Sequence, residues 1–307
     1  PAGGWEHSQV TIERDGRISA TTGASPHGQG NETTFAQMLA DQFGVPLDHI
    51  TIHHGDTGVV KQGIGTFGSR SQAVGGTALH LAGGKVKEKM AKFAAALIEA
   101  HEDDLVFENG RISVKGVPDS GKTFAEVAGY AYVPVPLPEG LTPGLSEEAF
   151  FEPANNTYPF GCHIALLEID RETGEPTLLR FVAVDDAGNL INPLIVEGQI
   201  HGGVAQGIGN AFYEQLKFDD QGQLLTATLG DYLLPTALDV PSMTVDHWVT
   251  LSATNRLGIK GVGEAGAIPV GPLFAQAIED ALELPSRGVE IGEIPLSPNR
   301  LWELSQL

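Results

Sequence analysis

The spacing of hydrophobic residues along the chain switches repeatedly between the period of a strand and that of a helix. In the first half, Asp15-Gly16 and Asn109-Gly110 mark tight turns between alternating segments, and Gly44 ends a helical one. The elements predicted there are strands over 9–13 and 17–22, a helix over 32–43, a strand over 48–53, a helix over 72–100 and a hairpin over 105–114.

A proline-rich segment over 133–148 is predicted to be a linker, since repeated prolines disfavour both helix and sheet. The elements predicted after it are strands over 163–170, 177–184, 215–218 and 243–248, with helices over 197–212 and 271–284. Because strands and helices mix without regular alternation, we predict an α+β (mixed α/β) fold. Its two lobes are expected to span residues 1–132 and 149–307.

Composition restricts the class of protein. The chain has 307 residues with 18 basic and 39 acidic side chains, which gives a formal charge of −21. This charge disfavours binding to nucleic acid or to an anionic membrane surface. Hydrophobic residues make up 41%, enough for a core, and no apolar run approaches the ~18 residues of a membrane span. With no signal segment at the start, we expect a cytoplasmic protein.

Cys162 is the single cysteine of the sequence. An iron–sulfur cluster takes several thiolates, typically about four. Any such cluster that serves this protein must therefore lie on another polypeptide. Because Cys162 stands at the front of an apolar strand, we predict that it is a small core residue.

Four glycine-rich turns carry the candidate chemistry. They are HGQGNETT over 27–34, GIGTFGSRS over 63–71, EGQIHGG over 197–203 and KGVGEAGAI over 260–268. Glycine lets a backbone approach a ligand closely, and glutamine amides can recognise the edge of a heterocycle. Hydroxyls, arginine and the N–H groups at helix starts bind phosphate. Together the turns predict one large cofactor that is both heterocyclic and phosphorylated.

Glu264 lies in the last of these turns, directly before an apolar helical run. It is either a cap of that helix or a positioned catalytic base. The segment Gly261–Gly266 also fits the G-x-G-x-x-G pattern, which would suggest an NAD-dependent dehydrogenase. That pattern needs a buried strand before it, and residues 253–258 are polar and irregular. The dinucleotide interpretation is therefore disfavoured.

Five ordered motifs are distributed along most of the chain: SPHGQGNETTFAQMLAD, GDTGVVKQGIGTFGSRS, FVAVDDAGNLINPLIVEGQIHGGVAQGIGNAFYE, DYLLPTALDVP and GIKGVGEAGAI. Together they resemble the molybdenum-binding subunit of the xanthine oxidase family of molybdenum hydroxylases. The nearest branch is the carbon monoxide dehydrogenase and aldehyde oxidoreductase type. The resemblance covers the C-terminal part of such a subunit and implies two molybdopterin-binding lobes.

The resemblance implies roles for individual residues. Glu264 matches the catalytic glutamate beside molybdenum, which acts as general base, and Gly68 matches a position whose backbone N–H lies near a molybdenum ligand. Gln29 and Gln199 match glutamines that contact the pterin. The metal is held by the pterin, so no side chain of this chain is implied as its ligand. The implied cofactor-binding residues are His27, Gly28, Gln29, Gly30, Gly68, Ser69, Arg70, Ser71, Gln199, Gly261, Val262 and Gly263.

Several of these positions keep a simpler interpretation. Arg70 could be a surface residue, Ser69 and Ser71 could cap a helix, and Gln206 could face either the cofactor or the core. The chain also departs from many relatives at two places. Asn31 stands where they carry a second histidine, and Ala187 stands where they carry a cysteine.

The implied function is oxidation of an aldehyde, N-heterocycle or similar small substrate with water-derived oxygen. The implied cofactor is molybdopterin with molybdenum, in the cytosine dinucleotide form. The implied hetero-oligomer adds a [2Fe-2S] subunit, an FAD subunit and a second molybdenum-binding chain or N-terminal part. That front part supplies most of the substrate-contacting residues and has no counterpart here, so the identity of the substrate stays open. The rival interpretation is a non-catalytic assembly subunit of such a complex.

Overall fold

The computed structural model describes residues 4–307, which form two compact units. Unit 1 contains residues 4–158 together with Leu251–Gly261, and unit 2 contains Pro159–Thr250 together with Val262–Leu307. These units differ from the predicted lobes 1–132 and 149–307. The reason is long-range pairing, because Ser146–Phe151 at the end of the predicted linker is a strand that pairs with Glu6–Thr11.

Within residues 4–158, unit 1 is built from two sheets and the helices packed on them. Its elements are β1 Glu6–Ile12, β2 Ile18–Thr22, α1 Asn31–Phe43, β3 Ile50–His53, α2 Thr77–Ile98, β4 Leu105–Glu108, β5 Arg111–Val114, β6 Val117–Thr123, α3 Phe124–Ala131 and β7 Ser146–Phe151. One sheet has the order β3-β2-β1-β7 and is antiparallel except for the parallel pair β2–β3. The other has the order β4-β5-β6 and is antiparallel.

Several elements of unit 1 were predicted correctly from local sequence patterns. The first hairpin and the hairpin β4–β5 are confirmed, and α1 ends at Gly44, which has φ 66° and donates its N–H to Ala40 O. The predicted helix over 72–100 begins with a π-helical segment, Ser71–Gly76, and continues as α2. Strand β6 and helix α3 were not predicted, although the capping box of Thr123 and Glu126 marks the start of α3.

Helix α2 joins the core of unit 1 through one face. Its buried residues recur every three to four positions and include Leu79, Val86, Met90 and Phe93, and the helix packs against β1 and β7. Burying each large apolar side chain stabilises the fold by about 1.5–3 kcal/mol. The opposite face is charged. Among the described helices, none has the length and apolar character needed to cross a membrane.

Unit 2 is a mixed sheet with helices on one face. Its elements are β8 Phe160–Ile169, β9 Pro176–Asp186, α4 Pro193–Ile208, β10 Ser242–His247, α5 Val270–Ala281 and α6 Pro298–Ser305. Strands β8 and β9 are antiparallel, and β10 is parallel to β9. The core joins Phe181 of β9 to Ile200 and Val204 of α4 and to Phe274 and Ile278 of α5.

Three expectations for unit 2 are corrected. The predicted strand over 215–218 does not form, and in that segment only Phe218 makes an isolated bridge, to Leu224. Helix α4 begins at Pro193 rather than at residue 197, because the Asn192 side chain caps it by accepting a hydrogen bond from Ile195 N. Cys162 is exposed rather than in the core. Alternate residues of a strand face opposite sides, so the neighbour His163 takes the inward position and packs on Phe181.

Candidate functional site

The first glycine-rich turn folds back on itself before α1. His27 N donates to Gln29 Oε1, and Gln29 Nε2 lies 3.3 Å from His27 Nδ1. Gly28 has φ 101° and Gly30 has φ 75°, which side chains rarely adopt. A Cβ at Gly28 would meet no atom within 4 Å. The turn therefore presents open backbone at the start of the helix.

The N-terminus of α1 has donor groups that the protein does not use. Its N-cap residue is Gly30, which supplies no side-chain cap. Asn31 is 8% exposed, and its Nδ2 has no hydrogen-bond partner among the described residues. An unsatisfied buried donor costs about 1–3 kcal/mol, and a helix N-terminus favours negative charge. Together these groups fit a ligand that brings acceptor oxygens.

The second turn contains two consecutive left-handed residues. Gly68 has φ 53° and Ser69 has φ 55°. The left-handed conformation costs a residue with a side chain about 1–2 kcal/mol, so the surrounding structure must hold Ser69 in place. The π-helical Ser71–Gly76 follows at once. Strained residues and π-helical turns are both frequent at functional sites.

The serines of this turn do not serve as the expected simple caps. The N-cap residue of the π-helical segment is Arg70, which makes no side-chain cap. The Ser71 hydroxyl is buried and donates instead to Thr66 Oγ1 at 2.8 Å. Ser71 therefore stabilises the turn through a hydrogen bond to another of its residues.

Arg70 is buried, with 1% of its surface exposed, so the expected alternative of a surface residue is wrong. Its guanidinium is paired with Glu6 at 2.9 Å and also donates to backbone carbonyls. These contacts use Nη1 and Nη2, whereas the buried Nε has no hydrogen-bond partner among the described residues. Arg70 therefore stabilises the turn, and its implied role in binding the cofactor stays a prediction.

Gly261 contacts the same turn within unit 1. It is buried, and a Cβ there would lie 2.0 Å from the carbonyl oxygen of Ser69. Backbone approach this close is possible only without a side chain. The 63–71 turn and the start of the last glycine-rich segment are thus brought together.

In unit 2, helix α4 packs closely against the turn that carries Glu264. A Cβ at Gly203 would lie 2.9 Å from Gly266 Cα, and a Cβ at Gly207 would lie 2.5 Å from Val270 Cβ. Gln199 stands one helical turn before Gly203 and therefore shares this face. The fold brings Gln199 and the Glu264 turn to the same side of α4.

Glu264 itself is exposed and lies well before α5. The N-cap residue of α5 is Pro269, so the interpretation of Glu264 as the cap of that helix is wrong. The Glu264 carbonyl accepts hydrogen bonds from Ala267 N at 3.0 Å and Ile268 N at 3.2 Å, which hold the turn compact. Val262 is half-buried and Gly263 is exposed beside it.

Sequence reasoning missed a cavity of about 510 Å³ beside this turn. Its lining includes Gln206, Asn210, Glu214, Tyr232 and Ala267, all in unit 2. The hydrogen bond from the Tyr232 hydroxyl to Glu214 raises the pKa of Tyr232 above its usual value. Gln206 therefore faces a cavity rather than the core. The only sequence signal was its helical spacing from Gln199.

The dinucleotide interpretation fails on geometry. Among the described residues, no strand lies between His247 and Gly261, and α5 starts at Val270 rather than inside the glycine pattern. The pattern therefore lacks the strand and the adjoining helix that would hold a pyrophosphate.

Comparison with known proteins gives consistent matches. The sequence profile of the molybdopterin cofactor-binding domain matches residues 2–241. The chain is 42% identical over 301 residues to the carbon monoxide dehydrogenase large chain of Hydrogenophaga pseudoflava, covering 98% of this chain and 37% of that protein. It is 36% identical over 305 residues to the gamma subunit of the 6-hydroxypseudooxynicotine dehydrogenase complex of Paenarthrobacter nicotinovorans, covering 98% and 38%.

The fold is also similar to that of solved structures. Quinoline 2-oxidoreductase from Pseudomonas putida 86 superposes with a TM-score of 0.90 at 39% identity, covering all of this chain and 39% of that one. This chain therefore spans well under half the length of the proteins that it matches.

Proposed function

Because the chain belongs to the molybdopterin cofactor-binding domain family, we propose that it is the molybdopterin-binding part of a multi-subunit molybdenum hydroxylase. The substrate is an aldehyde, an N-heterocycle or a similar small molecule. Similar proteins carry the names of carbon monoxide dehydrogenase, 6-hydroxypseudooxynicotine dehydrogenase and quinoline 2-oxidoreductase. These names support the reaction class.

The open donor group at the start of α1 is the observation that carries the proposal. Asn31 Nδ2 is buried without a partner, and the helix N-terminus has no side-chain cap. Such groups suit the oxygens of a pterin or a phosphate. The exposed or half-buried residues of the turn before it, His27, Gly28, Gln29 and Gly30, are assigned to the same ligand.

The remaining binding residues follow from the other turns. In unit 1, Gly68 and Ser69 are assigned to the cofactor as the left-handed backbone of the 63–71 turn. Ser71 and Gly261 stabilise that turn, through a hydrogen bond to Thr66 and through close packing on Ser69. In unit 2, Gln199 on α4 offers its amide to the pterin. Val262 and Gly263 are assigned to the cofactor as the backbone that leads to Glu264.

Glu264 is the proposed catalytic base. When bound, the molybdenum cofactor supplies a redox centre that accepts two electrons from the substrate. Glu264 takes a proton from the water that provides the oxygen atom, as a general base does. Glu264 is exposed on a turn that packs against α4, and this position suits the role.

The partners are proposed from what this chain lacks. It spans 37–39% of its relatives' length, and one cysteine cannot hold an iron–sulfur cluster. We therefore assign the electron path to a [2Fe-2S] subunit and an FAD subunit, and the rest of the pocket to a second molybdenum-binding chain or an N-terminal part. We also assign the complex to the cytoplasm; the formal charge of −21 disfavours binding to an anionic membrane surface.

The first test is cofactor content. We expect the native complex to contain molybdenum and, after oxidation and hydrolysis, a pterin and a cytosine nucleotide. Elemental analysis and chromatography of the released compounds measure this. Less than about a tenth of a molybdenum atom per chain in an active preparation would contradict the proposal.

The second test is dependence on partners. The segment between α4 and β10 exposes large apolar side chains, each at least 53% exposed: Leu225, Leu229, Leu233, Leu234 and Leu238. Exposed apolar patches mark interfaces. We expect the chain expressed alone to aggregate or to bind no cofactor, and co-expression with its partners to restore both. A soluble monomer with full molybdenum content and activity would refute the assignment of partners.

A further inference from the structure

We propose that Glu6 and Arg70 are positioning residues that set the conformation of the 63–71 turn and thereby the backbone assigned to the cofactor. The inference deepens the proposed function and rests on it for its catalytic consequence. Its structural part concerns unit 1 alone. No motif from the sequence pointed to Glu6, which lies at the start of β1.

The Glu6 carboxylate organises the beginning of the turn. It is fully buried, and Oε1 accepts hydrogen bonds from His7 N at 3.0 Å and Ile64 N at 3.3 Å. Oε2 accepts a hydrogen bond from Gly65 N at 3.2 Å. Two consecutive amides of the turn thus depend on one charged group. In a loop without sheet partners, these amides have no other acceptor of comparable strength.

The Arg70 guanidinium connects the end of the turn to the same carboxylate. Its Nη1 donates to Glu6 Oε2 and to Gly65 O, both at 2.9 Å. Its Nη2 donates to Gly4 O at 3.3 Å and to Trp5 O at 2.6 Å. The pair therefore closes the turn on itself and fastens it to the start of β1. Removing one member of a buried ion pair leaves the other charge uncompensated.

Glycines make room for the carboxylate. A Cβ at Gly23 would lie 2.2 Å from Glu6 Oε1 and 2.3 Å from Gly63 Cα, and a Cβ at Gly63 would lie 3.1 Å from the same oxygen. Gly75 also borders this side chain, because a Cβ there would lie 3.6 Å from Glu6 Cγ. The site is shaped for a carboxylate at the end of this side chain.

The strained part of the turn lies between these anchors. Gly68 and Ser69 are left-handed, and Ser69 O faces Gly261. Strain persists only where the surroundings determine the conformation. The ion pair supplies part of that restraint, so Arg70 acts through the backbone of the turn rather than on a phosphate.

Hydrogen–deuterium exchange of the native complex tests the inference directly. In the wild type we expect the amides of Ile64 and Gly65 to be protected although Ile64 is 40% exposed. In Glu6→Gln one acceptor oxygen is lost and the other loses its charge, so we expect at least one of the two amides to exchange about 10–100-fold faster, the factor for a lost hydrogen bond to a charged group. Arg70→Lys, which keeps the charge but not the fork geometry, should show a smaller acceleration.

Catalysis provides the second readout. At equal molybdenum content, Glu6→Gln should lower kcat by up to about 10²-fold with little change in KM, because a displaced turn misplaces the cofactor rather than the substrate. The matched control is Glu148→Gln. Glu148 bonds His7 on the neighbouring strand, and its loss should leave exchange at Ile64 and Gly65 unchanged.

Rapid exchange of Ile64 and Gly65 in the wild type would overturn the inference without any variant, as would unchanged exchange in Glu6→Gln. If the complex contains no molybdenum, the proposed function fails while the exchange result still decides the role of Glu6. If Glu6→Gln does not fold, Arg70→Lys and the wild-type protection carry the decision.

Discussion

Replacing Glu264 with glutamine should lower turnover by about 10²–10⁴-fold, the usual contribution of a general base. Glutamine keeps the size of the side chain but removes its capacity to accept a proton. The hydrogen bonds from Ala267 N and Ile268 N use the backbone carbonyl of Glu264, so the substitution leaves both in place. We therefore expect normal molybdenum and pterin content in the variant.

Steady-state kinetics on the complex, normalised to molybdenum, measures this effect. Glu290→Gln is a suitable control, since Glu290 is an exposed glutamate of the same unit. It should turn over as fast as the wild type. Turnover near the wild-type level in Glu264→Gln would remove Glu264 from the reaction and would favour the alternative of a non-catalytic assembly subunit.

Replacing Gly261 with alanine should destabilise unit 1 and empty the cofactor site. The new Cβ would lie 2.0 Å from Ser69 O, a backbone atom that cannot rotate away. Either the 63–71 turn or the 259–261 segment must move, and such overpacking costs about 1–3 kcal/mol or more. The left-handed pair Gly68–Ser69 would lose its support, so we expect cofactor content to fall.

Thermal unfolding and molybdenum content of the Gly261→Ala complex test this result. Gly129→Ala is the matched control, because Gly129 lies in helix α3 of the same unit and a Cβ there would meet no atom within 4 Å. That control should be neutral or stabilising by about 0.5–1 kcal/mol. An unchanged melting temperature with full cofactor in Gly261→Ala would show that the contact at Ser69 is dispensable.

The elements most accurately predicted were those with strong local signals. The hairpin β1–β2 and helix α1 with its terminal Gly44 follow from alternation, helical period and glycine at the turn. Helix α3 was missed although its capping box is visible, since its eight residues are short for a periodicity signal. Strand β7 was missed because its prolines and glycines upstream favoured a linker, whereas pairing with β1 decided the outcome.

Some features of the candidate site were likewise visible in the sequence, whereas others required the tertiary structure. The glycine turns and the acidic residue in the last of them were visible in the sequence. Tertiary structure was needed to pair Arg70 with Glu6, since the two residues are 64 positions apart in sequence. It was also needed to show that Glu264 does not cap α5 and that Gln206 lines a cavity.

The family, the fold class and the turns that carry chemistry could be predicted from the sequence, because each depends on residues close together in the chain. Tertiary structure decided which residues serve the fold and which are left for a ligand. It buried Arg70 against Glu6, joined residues 251–261 to unit 1 and left Asn31 Nδ2 without a partner. The physical reason is that burial and ion pairing arise from segments far apart in sequence, and local patterns carry no information about such contacts.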